Sequence, residues 1–139
     1  MSDKKPKIGV VGAGHLGKHH IKHLSNHKGV DFVGVFDINE DSLKNICDEF
    51  SVKPLQSLEE LISLCEAVNI VTPTNTHFDI ARKFLNQKKD VFIEKPLTNT
   101  VEEALSLINL AKTNECIVQV GHIERFNPVS YTHLRAHET

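Results

Sequence analysis

The sequence predicts an α/β domain built on a doubly wound parallel sheet, and three observations lead to that prediction. Short apolar runs alternate with amphipathic segments of helical period along most of the 139 residues. The first apolar run ends in a glycine-rich turn, and later runs end in polar residues or proline. Such alternation calls for parallel strands joined by right-handed helical crossovers, with helices on both faces. Six predicted strands match the order 3-2-1-4-5-6.

The first predicted strand, residues 8–11, runs into a turn of the form GxGxxG. The first glycine permits the tight turn, the second lets the backbone approach a pyrophosphate, and the third lets the next helix pack on the sheet. That helix is predicted over residues 14–27, and its N-terminus favours phosphate. The residues predicted to contact a cofactor here are Gly12, Gly14, His15, Leu16 and Gly17.

The second half of a dinucleotide signature follows this helix. A strand predicted over residues 30–36 ends in Asp37, about 20 residues after the last glycine. An acid at this point accepts hydrogen bonds from the adenosine ribose and repels a 2′-phosphate, so NAD is predicted and NADP is disfavoured. The alternative, a glycine turn that binds no dinucleotide, is disfavoured because both halves of the signature are present.

The first helix also carries five histidines, four of them spaced four residues apart. Neighbours at that spacing share a helix face and could clamp a transition metal. No carboxylate or cysteine is placed to complete a ligand shell, so we predict a solvated face and no metal site. On the opposite side, Leu16, Ile21 and Leu24 are predicted to be buried. The histidines are His15, His19, His20, His23 and His27.

The next elements follow from capping residues and apolar runs. Asn39 or Asp41 can cap a second helix, and a short third strand is predicted at residues 52–55. Ser57 opens a third helix with a capping box, and a buried strand follows at residues 67–71.

The last elements repeat this alternation. Thr76 is predicted to cap a helix that reaches about residue 87, and a strand follows at residues 91–94. Thr100 opens a further helix with a second capping box, and the last strand is predicted at residues 116–120. The expected apolar face of that helix consists of Leu105, Ile108, Leu110 and Ala111.

Composition narrows the function classes. The length suits one domain, and 40% hydrophobic residues is ordinary for a globular protein. The net charge of −2 gives no electrostatic case for binding nucleic acid or an anionic membrane, and no apolar run approaches the roughly 20 residues of a membrane span. Cys47, Cys65 and Cys116 are predicted to be buried thiols, and a cytoplasmic location is expected.

Four polar segments end strands at the edge where ligands bind in such a sheet. Together they resemble the Gfo/Idh/MocA oxidoreductase family, whose motifs are GxGxxG, T-P-[NT]-x-x-H-x-x-x-A, E-K-P, and Gly-Tyr/His followed by Arg-Phe. The resemblance covers about residues 7–128. The matching residues after the glycine turn are Thr72 to His77 with Ala81, Glu94-Lys95-Pro96, and Gly121-His122 with Arg125-Phe126.

The resemblance implies a dehydrogenase in which Lys95 lies near the reacting carbon and the nicotinamide of the cofactor, and stabilises an alkoxide-like charge. Pro96 is expected to follow a cis peptide bond that aims Lys95 into the cleft. The alternative for Lys95 is a strand-end lysine paired with Glu94 or Glu102. The other cofactor contacts implied by the resemblance are Thr72, Pro73, Asn75, His77, Glu94 and Pro96.

Three of the implied site residues have a second interpretation. His77 contacts the cofactor or caps its helix, or else is an ordinary core histidine. His122 and Arg125 are expected to face the substrate, Arg125 being suited to a carboxylate or phosphate. Their alternative is packing of the loop against a following domain.

The resemblance also bears on domain organisation. Residues 1–128 are expected to form the cofactor domain. Residues 129–139 resemble translated adapter sequence, so a non-native tail is expected, with a genuine tail as the alternative. In the family, a second α/β domain supplies the general base, most substrate contacts and the sheet through which the full-length protein forms homo-oligomers, and that domain is expected to be missing from this sequence.

These observations predict an NAD-dependent oxidoreductase acting on a ring hydroxyl of a sugar, cyclitol or nucleotide-sugar. The segment after residue 121 most resembles family members that act on UDP-amino sugars. A non-catalytic dinucleotide-binding sensor or scaffold is the alternative. A dehydrogenase that shares only the dinucleotide fold is disfavoured by Glu94-Lys95-Pro96 at the end of a strand.

Overall fold

A computed structural model describes residues 4–121 of the chain. Across those residues five strands alternate with five α-helices, and one short 3-10 turn, Thr74–Thr76, precedes the fourth helix. The elements are β1 (Lys7–Val11), α1 (His15–Asn26), β2 (Asp31–Phe36), α2 (Glu40–Phe50), α3 (Leu58–Leu64), β3 (Ala67–Ile70), α4 (His77–Asn86), β4 (Asp90–Glu94), α5 (Val101–Thr113) and β5 (Val118–Gly121).

The strands form one parallel sheet in the order β2-β1-β3-β4-β5. The predicted doubly wound α/β class is confirmed, but the predicted strand at residues 52–55 is wrong. The sheet therefore has five strands in place of six, and it follows the predicted order 3-2-1-4-5-6 without the first edge strand. Beside β2, Val35 forms a single parallel bridge to Pro54, flanked by bonds from the Val35 N–H to the Lys53 carbonyl (3.0 Å) and from the Leu55 N–H to the Val35 carbonyl (2.8 Å). The pairing with β2 stops at this one bridge, so the segment forms no strand, and Pro54 lacks only an N–H that would point away from β2.

Helices cover both faces of the sheet, and the strand residues divide between two cores. On one face α1 and α2 pack over the inner strands, and on the other face α3, α4 and α5 do so. The α1 side is built around Val10, Ile21, Val35 and Ile46, and the opposite side around Leu61, Ile70, Phe84, Ile93 and Leu107.

Three of the predicted helix caps are confirmed, and the fourth, Thr76, stands at the predicted N-cap position without the capping hydrogen bond. Asn39, Ser57 and Thr100 each accept a hydrogen bond from the backbone N–H three residues further on, at 3.0, 3.0 and 3.1 Å. Thr76 makes no such cap, because its hydroxyl instead donates to the Pro73 carbonyl at 2.6 Å. The 3-10 turn provides an acceptor at that end of α4, since the His77 N–H donates to the Thr74 carbonyl.

Three predicted core positions are exposed. Leu16 is 47% exposed, and on α5 Leu105 and Ile108 are 54% and 39% exposed. The α5 helix buries Leu107 and Ala111 where it packs on α4 and β5. The α5 helix carries apolar residues on more than one side, so the helical period alone did not identify which side is buried.

The prediction of buried thiols is confirmed for two of the three cysteines. Cys47 and Cys65 are buried, and Cys116 is half-buried. Burial raises the pKa of all three, that of Cys65 to about 11. None of the helices within residues 4–121 combines the length and apolar character needed to cross a membrane.

Candidate functional site

Close packing within the chain explains two of the three glycines at the turn between β1 and α1. Gly12 has a φ of 118°, which L-residues rarely adopt, and a Cβ there would overlap the Val71 carbonyl. A Cβ on Gly17 would overlap the Gly12 carbonyl oxygen. Only glycine therefore lets α1 approach the turn this closely.

Gly14 has no comparable explanation inside the chain. Its φ is −82°, a value open to any residue, and a Cβ there would meet none of the described atoms within 4 Å. The absence of a side chain keeps open a space at the helix terminus that the surrounding residues do not fill. A pyrophosphate lying against the backbone would use that space. The residues present thus fit a dinucleotide.

The N-terminus of α1 is suited to an anion. Gly14 stands at the N-cap with no side-chain cap, and the first turn contains no acidic residue. The N–H groups of a first helical turn have no intrahelical acceptor, and the helix dipole is positive at this end. His15 and Leu16 lie exposed beside these donors.

Asp37 follows β2 and is tied directly to the glycine turn. One carboxylate oxygen accepts the Ala13 N–H at 2.6 Å, and the other accepts the Asn39 N–H at 2.8 Å. The carboxylate is therefore held beside the turn that leads into α1. Ile38, the next residue, is 89% exposed and forms an apolar surface adjacent to it.

The segment after β3 forms a compact turn at the same edge. The hydroxyls of Thr72 and Thr76 lie 2.6 Å apart, and Thr76 also bonds to the Pro73 carbonyl. Pro73 and Asn75 are exposed. The turn thus presents the predicted cofactor contacts Pro73 and Asn75 to solvent, while Thr72 is partly used in holding the turn.

His77 joins this turn to the segment after β4. Its Nε2 lies 2.9 Å from the Thr72 carbonyl oxygen, and its Nδ1 lies 3.1 Å from the carbonyl oxygens of both Pro96 and Leu97. The ring is 1% exposed, and both nitrogens face backbone carbonyls. This geometry corresponds to the core-histidine interpretation, so we do not propose His77 as a cofactor contact.

Glu94 and Lys95 at the end of β4 face in different directions. The Glu94 side chain is buried against α1, with Oε2 2.9 Å from His20 Nε2. Lys95 is exposed, and among the described residues it has no ion-pair partner. The alternative in which Lys95 pairs with Glu94 or Glu102 is therefore not observed. The peptide bond between Lys95 and Pro96 is cis, as expected.

The histidine stripe on α1 lies largely in solvent. Its four regularly spaced members are exposed, and the rings of His15 and His19 are in edge-to-face contact at 5.1 Å. Within residues 4–121 no group of three or more His, Cys, Asp or Glu side chains is arranged to hold a metal ion.

The profile described as "Oxidoreductase family, NAD-binding Rossmann fold" matches residues 6–122. That match spans most of the chain and decides its family. The chain belongs to the Gfo/Idh/MocA family.

Family relatives include dehydrogenases of different ring substrates. UDP-N-acetylglucosamine 3-dehydrogenase of Acidithiobacillus ferrooxidans is 35% identical over 88% of this chain and 38% of its own length. Its solved structure superposes with a TM-score of 0.80 at 34% identity, over 96% of this chain and 43% of that one. The NAD-dependent scyllo-inositol 2-dehydrogenase of Bacillus subtilis is 34% identical over 88% of this chain and 37% of its own length.

Solved structures that resemble this chain include one complex with NAD and one with NADP+. GenD2, from gentamicin A biosynthesis, in complex with NAD has a TM-score of 0.80 at 26% identity, over 85% of this chain and 34% of that one. Biliverdin reductase of Synechocystis with biliverdin and NADP+ has a TM-score of 0.79 at 28% identity, over 85% of this chain and 38% of that one.

The chain spans about two fifths of the length of the curated relatives it matches, 38% and 37% for the two named. The expected second domain, the general base and homo-oligomerisation therefore stay predictions about a longer protein. The predicted substrate residues His122 and Arg125, and the predicted tail at residues 129–139, lie outside the described residues.

Three residues at this Gfo/Idh/MocA site were not singled out from sequence. Ile38 was passed over, although its position directly after Asp37 was a usable signal. His20 was assigned to the solvated stripe, but it is 3% exposed and contacts Glu94. Asn69 lies in a strand that reads as buried, and an amide in such a strand requires a polar partner.

Proposed function

We propose that this chain is the cofactor-binding half of an NAD-dependent oxidoreductase. The enzyme would transfer hydride between a ring carbon of a sugar, cyclitol or nucleotide-sugar and the nicotinamide. The observation that carries the proposal is the open space at Gly14, between two glycines that the chain's own packing explains. Family membership supplies the oxidoreductase chemistry.

Several residues would hold the dinucleotide. The first-turn N–H groups of α1 would bind the pyrophosphate in the space beside Gly14. Asp37 would accept the ribose hydroxyls and oppose a 2′-phosphate, which supports NAD over NADP. The exposed side chain of Ile38 would offer an apolar surface to the adenine. Pro73 and Asn75 would lie along the cofactor, near its nicotinamide ribose.

Lys95 would serve at the reacting carbon. When bound, the nicotinamide supplies a C4 position that accepts hydride. As the hydroxyl proton is removed, negative charge grows on the substrate oxygen and helps to expel hydride from the carbon, and an ammonium placed there stabilises that charge. Lys95 is exposed and has no ion-pair partner among the described residues, so its charge is free for this role. The proton of the substrate hydroxyl would pass to a base in the second domain expected for the longer protein.

A UDP-amino sugar is the substrate class that we favour. Support comes from the relative that is named for UDP-N-acetylglucosamine and from the sequence that follows residue 121. Arg125 would pair with a substrate phosphate, since guanidinium binds phosphate in a bidentate manner.

The test uses the full-length protein that contains this chain. NAD+ would be supplied with UDP-N-acetylglucosamine, and in parallel with an inositol and a sugar phosphate, while NADH absorbance is followed. Formation of NADH with a ring-hydroxyl substrate is expected, and with the nucleotide-sugar above the others. A folded protein that binds NAD+ but oxidises none of these substrates would overturn the catalytic proposal in favour of a sensor.

A further inference from the structure

A buried polar cluster links the cofactor-binding helix to the strand that carries Lys95. His20 of α1 lies between Asn69 of β3 and Glu94 of β4. Asn69 Nδ2 is 2.9 Å from His20 Nδ1, and His20 Nε2 is 2.9 Å from Glu94 Oε2. The three residues are 3%, 8% and 7% exposed, in the order His20, Asn69, Glu94. Polar side chains this deeply buried require such partners.

The hydrogen bonds define where the proton of His20 resides. The Asn69 amide nitrogen can only donate, so Nδ1 accepts and carries no hydrogen. The ring hydrogen is therefore on Nε2, from which it is donated to the Glu94 carboxylate. Burial disfavours a charged imidazole and lowers the pKa of His20, an effect larger than the opposing influence of Glu94. The contact is a hydrogen bond from a neutral imidazole to a carboxylate.

The hydrogen bond that holds Glu94 against His20 affects the direction of Lys95, the residue that follows Glu94. Successive side chains along a strand point to opposite sides, so a Glu94 side chain held against α1 turns Lys95 away from α1. Lys95 is exposed, and its N–H donates to the Gly121 carbonyl at 3.1 Å. The backbone and the preceding side chain together fix the point from which Lys95 projects.

The helix that carries His20, α1, begins at the glycine turn. The buried polar cluster therefore connects the proposed pyrophosphate-binding end of α1 to the strand that precedes Lys95. We propose that His20 is a positioning residue that, as the neutral Nε2–H tautomer held by Asn69, fixes Glu94 and thereby the placement of Lys95 relative to the dinucleotide-binding end of α1. The inference deepens the proposed function and depends on it for the catalytic role of Lys95.

The first test is histidine ¹⁵N NMR on the full 139-residue chain. We expect His20 to show an unprotonated Nδ1 and a protonated Nε2 at neutral pH. An imidazolium, or the Nδ1–H tautomer, at His20 would overturn the inference.

The second test asks whether His20 places Lys95. His20→Leu is expected to shift the Lys95 amide resonance, and His20→Gln, which retains an N–H donor, is expected to restore it. The matched control is His19→Leu, the same change at the exposed neighbouring residue, for which no shift at Lys95 is expected. A folded His20→Leu chain with an unmoved Lys95 resonance would overturn the inference. If His20→Leu does not fold, Asn69→Leu is used, with mixed His20 tautomers and a moved Lys95 resonance expected; an unchanged tautomer would overturn the inference.

The third readout is kinetic and uses the full-length protein with NAD+ and UDP-N-acetylglucosamine. His20→Leu is expected to lower kcat about tenfold or more, since small misplacements of a reacting group are costly. The KM for NAD+ should stay within about threefold of the wild-type value, because the substitution removes no proposed contact with NAD+. Wild-type kcat in the folded variant would overturn the inference. If Lys95→Met retains turnover, the proposed function fails, while the NMR readouts still decide the role of His20.

Discussion

The Asp37 carboxylate accepts a hydrogen bond from the Ala13 N–H at 2.6 Å, across 24 positions of sequence. This bond ties the end of β2 to the glycine turn that leads into α1. The residue proposed to select the cofactor's ribose therefore also holds the turn that would bind its phosphates. Changes at Asp37 will affect both properties, and an experiment must separate them.

Asp37→Ala is expected to reduce the preference for NAD over NADP. Loss of the carboxylate removes both the acceptor for the ribose hydroxyls and the repulsion of a 2′-phosphate. The freed N–H groups of Ala13 and Asn39 should also cost about 1–3 kcal/mol of unfolding free energy. Calorimetry with both cofactors gives the affinity ratio, which damage to the turn alone would leave unchanged. Asp31→Ala, at the exposed start of β2, is the control. An unchanged ratio in Asp37→Ala would refute the ribose assignment.

Gly14→Ala and Gly17→Ala form a matched pair that adds the same methyl group to one turn. At Gly17 the methyl overlaps the Gly12 carbonyl, so a loss of about 1–3 kcal/mol or more in unfolding free energy is expected. At Gly14 it meets no described atom, so the loss should stay below about 1 kcal/mol. Denaturant unfolding measures both values.

The Gly14→Ala chain is nevertheless expected to bind NAD about tenfold more weakly, because the methyl fills the space proposed for the pyrophosphate. Isothermal titration of the folded variant checks this. Wild-type affinity would show that the space beside Gly14 does not hold a ligand phosphate.

Lys95→Met is expected to leave NAD affinity nearly intact and to abolish turnover in the full-length protein. The change retains the length of the side chain and removes the ammonium that would stabilise the developing oxyanion. Steady-state kinetics with UDP-N-acetylglucosamine and NAD+ provide the measurement. Lys112→Met, on the exposed side of α5, is the matched control and should retain activity. Full turnover by Lys95→Met would remove this residue from the mechanism.

The stability of the chain is expected to fall on acidification through His20. Burial lowers the pKa of this histidine below its ordinary value of 6.5, and the nearby His23 and His19 add to that effect, while Glu94 opposes it. Below pH 6.5 the unfolded chain takes up a proton that the folded chain resists. The unfolded state then binds more protons, so this contribution to stability is present above that pH and is lost below it.

Urea unfolding at about pH 7.5 and about pH 5.5 measures this effect. Other groups also titrate in this range, so the informative quantity is the difference between wild type and His20→Gln. The variant should lose less stability on acidification than wild type, and His27→Gln, at an exposed histidine that does not influence the pKa of His20, is the control. An equal pH dependence in wild type and His20→Gln would contradict the expectation.

Much of the fold followed from local signals in the sequence. The glycine turn, the side-chain caps at Asn39, Ser57 and Thr100, and the alternation of apolar runs depend on neighbours within a few residues. The third strand was overpredicted because its pairing depends on β2, an element outside the segment, and that pairing stops after the single bridge between Val35 and Pro54. The apolar face of α5 was chosen wrongly because its burial depends on α4 and β5.

The site shows the same division between local and long-range information. Asp37 and Lys95 were identified from motifs at strand ends, where position alone brings them to one edge. His20 lies outside the four-residue spacing of the other histidines and shares a helix face with Ile21 and Leu24, but its partner Glu94, 74 positions away, could not be identified from the sequence. A histidine's role in a fold is set by what it contacts, and that information is tertiary.

The central claim is tested most directly by titrating NAD+ and NADP+ separately into the 139-residue chain by calorimetry, after circular dichroism has shown that the sample is folded. Saturable binding of NAD+, with NADP+ at least about tenfold weaker, is the expected result. A folded sample that binds neither cofactor, or that binds NADP+ as tightly as NAD+, would contradict the site described around Gly14 and Asp37.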